Sequence, residues 1–355
     1  MKLSSPGFTP GRLAGGLSTI PRCVIAVLLA LAALCTSLTP AHAVTIDWVT
    51  VGDPGNAADN TGYGAVDKSY RIAKYDVTIQ QYADFLNAVA ATDTYGLYNA
   101  SMATNLNIAG ISRSGSSGSY SYNVIGSSGN KPITFVSWFD AARFANWMQN
   151  GQGSGSTETG AYTLGGATSG NAMAKNAGAT FYIPTENEWY KAAYYSPTLN
   201  SGAGGYYRYA TQSNEPPGNV IGSGANQANY YTGAGFSVTQ SSSYDSHQNY
   251  LTDVGAFTSS ASFYGTFDQS GNVFQWNDLD GTAGSSRGVR GGDWSDGATR
   301  LLSDFGVASD PSNEGETIGF RLASPVAVPE PSTYAMALAG IACGSYSMFR
   351  RRKRA

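Results

Sequence analysis

The stretch RGGDWSDGATRL, Arg290 to Leu301, places an acid and a tryptophan directly behind a glycine pair and a guanidinium. Asp293 and Asp296 flank the Trp294 ring. Such a ring can stack on a sugar or peptide while the carboxylates accept hydrogen bonds, with Arg290 beside them; the alternative is that Trp294 belongs to the core. Covalent chemistry asks for more, and the stretch itself holds no histidine or cysteine. The cysteines are Cys23, Cys35 and Cys343, all close to the chain ends, so the body between them has neither a disulfide nor a thiol nucleophile. His247 is the one histidine of that body. A zinc site or a Ser-His-Asp triad would rest on it alone, and its polar surroundings, YDSHQNY, read as a solvated loop.

The two ends carry their own signals. Lys2, Arg12 and Arg22 precede the apolar run CVIAVLLALAALCTSL, and Ala41-His42-Ala43 offers small residues for a signal peptidase. That is the three-part secretory pattern, over residues 1–43. At the other end Pro329-Glu330-Pro331 precedes an apolar stretch and then Arg350 to Arg354, a basic cluster that halts translocation. This tail resembles the PEP-CTERM sorting signal of Gram-negative bacteria. The resemblance implies transient anchoring in the inner membrane, cleavage by an exosortase, and delivery to the cell surface or extracellular matrix. A plain C-terminal membrane anchor is the alternative. The organisation expected is a signal peptide at 1–43, a domain at 44–324, a linker at 325–331, a transmembrane sorting segment at 332–349 and a cytoplasmic tail at 350–355.

Eight of the 21 lysines and arginines lie in those ends, which leaves 13 against 24 acids in the body, a net of about −11. An acidic domain is poorly suited to nucleic acid and better suited to cations such as calcium.

Three segments carry helix-start signals. Thr78 with Gln81, Ser137 with Asp140, and Thr185 with Glu188 each pair a hydroxyl with an acid or amide three residues on, which is the capping-box spacing. Tyr82, Phe85, Leu86 and Val89 follow the first at helical spacing, and Ala141, Phe144, Ala145 and Met148 follow the second. Beyond Tyr195 no comparable helix is predicted, and short strand-like pieces such as VFQW and IGFRLA stand among glycine-rich turns. GQGSGSTETG follows a helix and opens none, so it reads as a flexible loop and not as a phosphate cradle. The tyrosine-rich GGYYRYATQSNEPPGN is either a binding surface or loop packing. The expected class is α+β, irregular and loop-rich, with low regular secondary structure.

Read in order, VTIQQYADFLNA, PITFVSWFDAARFANWM, YIPTENEWYKAA, GNVFQWND, RGGDW and IGFR resemble the formylglycine-generating enzyme family, the sulfatase-modifying factor domain. The resemblance implies a fold shared with C-type-lectin-like proteins. It also implies an oxidase that turns a substrate cysteine into formylglycine on copper held by two cysteines. Their positions here are Asp296 and Leu301, neither a soft ligand, so copper is not expected. A sulfoxide-forming branch with histidine-bound iron is set aside for want of histidines. The resemblance further implies structural calcium, on Asp268, the carbonyls of Gly271 and Val273, and Gln275, with a second site on Asn229, the carbonyl of Tyr230 and an acid such as Asp245. Ordinary turn residues are the alternative for both sets.

The function expected is a surface or matrix recognition module without the catalytic cysteines. Its glycan or peptide ligand would meet Arg290, Asp293, Trp294, Asp296 and Arg321. The alternatives are an active oxidase using Asp293, Asp296 and Arg321, and a purely structural matrix protein.

Overall fold

The computed structural model describes residues 43–326. The Pro-Glu-Pro motif, the basic tail and the segments expected to act as a signal peptide, up to residue 42, and as a sorting segment lie outside the described residues. Among the described residues no helix is long and apolar enough to cross a membrane.

The chain forms short elements in chain order. Strands β1 (Trp48–Val51) and β2 (Tyr70–Ala73) pair antiparallel, Trp48 opposite Ala73. Helix α1 follows, Ile79–Val89, and then the hairpin β3 (Ile111–Ser114) and β4 (Ser121–Val124). Helices α2 (Trp138–Gln149) and α3 (Glu186–Tyr194) come next. The two-residue pair β5 (Tyr195–Ser196) and β6 (Gly205–Tyr206) opens the loop-dominated half. A four-stranded sheet is built from β7 (Phe274–Asn277), β8 (Arg287–Arg290), β9 (Val307–Ser309) and β10 (Ile318–Gly319), in the order β10-β7-β8-β9. Last, β11 (Ala323–Pro325) returns to pair with β2. Regular structure is sparse and mixed, as the α+β reading expects, and VFQW and the two ends of IGFRLA become strands within a residue or so.

All three helices start where the capping boxes put them. The hydroxyls of Thr78, Ser137 and Thr185 accept from the N–H three residues on, and Gln81, Asp140 and Glu188 reach back to the cap. Each pairing satisfies two donors that would otherwise be orphaned at a helix start.

The main core forms where α1 meets α2. Phe85 and Phe144 sit edge to face at 5.4 Å, and Trp147 and Phe320 add rings at 5.4 Å from Phe85 and Phe144 respectively. Such pairs add about 0.5–1.5 kcal/mol each beyond area burial. The apolar stripe predicted for α2 is there, yet the helix is buried on its polar side as well. The reason is GQGSGSTETG and the residues after it, which wrap that side. Arg143 pairs with Glu158 at 2.8 Å, and Asn146 donates to the carbonyls of Thr157 and Tyr162. Gln152 of the same loop exchanges two hydrogen bonds with the backbone of Val44. The loop predicted to be flexible is therefore pinned, to the middle and C-terminal part of α2 and to the backbone of Val44.

Candidate functional site

Strand β8 delivers Arg290 to a turn that only glycine allows. Gly291 and Gly292 have φ of 105° and 73°, and a Cβ on Gly292 would lie 2.7 Å from Leu301. Asp293 then folds the chain back, its Oδ1 accepting from the backbone N–H groups of Ser295 and Asp296 at 2.8 and 3.2 Å. Trp294 stacks flat on Tyr250, centroids 4.6 Å apart and planes 4° apart, with Phe236 at 5.8 Å. Only 7% of Trp294 is exposed, and its indole N–H is buried without a hydrogen-bond partner.

The residues expected at the ligand rim divide in two. Asp293, Trp294 and Asp296 share one turn. Asp296 is half-buried there, and burial together with the neighbouring Asp293 charge pushes its carboxyl up to about 6. Arg290 and Arg321 point into the protein. Arg290 lies 2.5 Å from Glu186 and also donates to the carbonyls of Ser303 and Phe305. Arg321 has no exposed surface and donates to Gln275, Asp76 and the carbonyl of Phe267. Neither guanidinium is presented to solvent, because each is needed to neutralise a buried acid.

Leu301, at the second family cysteine position, is completely buried and packs with Tyr209, Ala228 and Tyr230.

The donors carried over for calcium do not form an open oxygen shell. Gln275 Oε1 accepts from Trp189 Nε1 and from Arg321 Nε, both at 2.7 Å, while its NH2 donates to the Asp268 carbonyl at 2.7 Å. An N–H thus points where a cation would need an oxygen lone pair. Asp268 accepts from the Gly255 N–H at 2.7 Å, and burial pushes its carboxyl up to about 6. The void beside it is about 10 Å³, the limit for a single water, whereas calcium takes six to eight oxygens. Gly271 and Val273 lie on the adjoining turn. The N–H of Gly271 donates to Gly291, and Val273 is fully buried. In the second set, Asn229 turns its amide to Tyr250 and Asn272, the carbonyl of Tyr230 accepts from Asn219, and Asp245 is exposed on its own turn with His247. Neither set fits calcium as it stands.

Three residues essential to this region are absent from the expected set. Asp76 pairs with Arg321 at 3.0 Å, its second oxygen is buried without a partner, and burial pushes its carboxyl up to about 8. Tyr250 carries the Trp294 stack. Asn272 joins the two expected calcium loops through Asn229 and Thr252. None carries a local signal, since each matters through a partner distant in sequence.

The sulfatase-modifying factor enzyme 1-like domain matches residues 54–326. No curated protein matches the chain. Among solved structures it is similar to CarF, at 22% identity over 80% of this chain and 99% of that one, with a TM-score of 0.48. It is similar to the Treponema denticola variable protein 1, at 18% identity over 80% and 96%, with a TM-score of 0.45. PvdO from Pseudomonas aeruginosa is 17% identical over 80% and 93%, with a TM-score of 0.41.

Proposed function

The chain belongs to the sulfatase-modifying factor enzyme 1-like domain family, and on that footing we propose that it is a member without oxidase chemistry, a recognition module exported to the cell surface or extracellular matrix. Oxidising a thiol on copper requires two soft thiolates from the protein. By the spacing of the RGGDW segment, the positions that carry them in formylglycine-generating members are Asp296 and Leu301 here. The observation that carries the reading is the complete burial of Leu301 among Tyr209, Ala228 and Tyr230, where a metal-binding thiolate would need an opening.

The same turn retains what recognition needs. The Asp296 carboxyl is half-exposed, and Trp294, 7% exposed and stacked on Tyr250, holds the turn in place. A glycan or peptide carries the hydroxyl or amide donors such a carboxylate accepts from, and nucleic acid is disfavoured by the acidic body. Export rests on the N-terminal signal pattern, read by signal peptidase, and on the Pro-Glu-Pro tail, read by an exosortase. Calcium has no part in the proposal, because the donors do not fit it.

Three measurements test the reading. A cysteine peptide incubated with the purified protein, copper and oxygen should yield no aldehyde by mass spectrometry, and conversion above the protein-free control would overturn the first half. Cell fractionation should place the protein outside the cytoplasm, and an unprocessed cytoplasmic pool would overturn the second. On a glycan and peptide array, loss of binding in the Trp294→Ala/Asp296→Ala variant is expected. Undiminished binding would remove this turn as the site.

A further inference from the structure

A cavity of about 560 Å³ opens between the loop 55–60 and the β5–β6 hairpin, and its lining includes none of Asp293, Trp294 and Asp296. That volume lies within the roughly 300–1,000 Å³ typical of small-molecule sites. One wall is the GGYYRYA stretch, through Tyr206, Tyr207 and Arg208, with Tyr195 from β5. The wall is held rigid. The Tyr206 hydroxyl donates to the Ala57 carbonyl at 2.8 Å and accepts from Asn56 at 2.7 Å. Its ring is braced by Tyr195 at 5.1 Å and by Tyr190 at 5.6 Å. Gly204, at φ 80°, leaves room for the Tyr195 hydroxyl, which a Cβ there would strike.

The polar part of the lining is selective. Asp59 has both oxygens engaged, one by the Thr61 backbone N–H at 2.8 Å and the other by the Tyr190 hydroxyl at 2.5 Å. Asn60, the Tyr207 hydroxyl and the Arg208 guanidinium, by contrast, make no side-chain hydrogen bond or ion pair among the described residues. A metal ion would find no spare carboxylate oxygen here. An inorganic anion would use Arg208 and leave the tyrosines idle. A sugar ring uses everything present, its C–H face against fixed aromatic rings and its hydroxyls on an amide, a phenol and a guanidinium. We propose that this cavity is a saccharide subsite for a hexose or hexuronate residue. It rests on the recognition-module reading but on different residues.

Saturation-transfer-difference NMR on the purified full-length protein, in a sugar-free detergent, tests it with glucose, galactose, N-acetylglucosamine and glucuronate, and with inorganic phosphate as competitor. At least one sugar should receive saturation on its ring protons. Asn60→Ala/Arg208→Ala should weaken that binding at least tenfold with an unchanged Tm, since both side chains are exposed. The proposal is overturned if no sugar receives saturation, if the double variant binds as the parent does, or if phosphate displaces every sugar signal. Binding lost in Trp294→Ala/Asp296→Ala but retained in Asn60→Ala/Arg208→Ala would move the sugar to the other turn, sinking this inference and leaving the recognition reading intact.

Discussion

Arg321 and Trp189 donate to the same atom, Gln275 Oε1, each from 2.7 Å. The other end of that amide donates to the Asp268 carbonyl, so every polar atom of the side chain has its partner inside the protein.

Gln275→Glu replaces that N–H with an oxygen facing a carbonyl oxygen in a buried site. Arg321 already serves Asp76 at 3.0 Å, so it can offset only part of the new charge. The expected cost is about 1–3 kcal/mol in EDTA, the price of a buried acceptor left unpaired. Calcium should change the Tm of neither protein, because the void of about 10 Å³ beside Asp268 leaves no room for its six to eight oxygens. Thermal melts with calcium and with EDTA decide it, and a calcium-raised Tm in the parent would refute the finding that these donors do not fit the ion.

Leu301→Ala should cost about 3 kcal/mol, because it empties a fully buried position against Tyr209 and Tyr230. Urea unfolding with an unchanged m-value is the check. A loss under about 0.5 kcal/mol, the size usual at an exposed surface position, would mean that Leu301 lines an open pocket after all.

Asp296→Asn should flatten the pH dependence of stability. The folded carboxyl is raised to about 6 from the ordinary 3.8. Folding therefore binds the proton more tightly, and this contribution is full below about pH 4 and is lost as pH rises through 6. Asp268 and Asp278, also raised to about 6, titrate over the same window. The variant should therefore lose only part of the decline in Tm between pH 4 and pH 6. An unchanged slope across that window would contradict the burial of Asp296.

The helices were legible in sequence because their causes are local: Ser137 and Asp140 stand three residues apart and need nothing else to set a helix start. The glycine pair before Asp293 was legible for the same reason, its turn being written in two adjacent residues. The fates of Arg290 and Arg321 were not. Their acids, Glu186 and Asp76, lie 104 and 245 residues away, and nothing near either arginine tells a ligand contact from a buried ion pair. The full burial of α2 escaped too, since a hydropathy stripe reports one face and the covering loop gives no apolar signal. The Tyr206 wall was visible as composition only, and the loop 55–60 that closes it into a cavity is distant in sequence.

Strand β11 sits between two partners made much earlier, with Ala323 paired to Ile72 of β2 on one side and bridged to Tyr182 on the other. Roughly 250 residues separate Ala323 from Ile72, a long-range closure of the kind that slows folding. The first sheet and the Tyr182 segment therefore stay incomplete until nearly the whole domain has been synthesised. A nascent chain lacking its last few strand residues keeps an open β-edge, and a truncation just ahead of Ala323 should leave it prone to pairing with other chains. Timing is thus built into the architecture: the domain is sealed by its end.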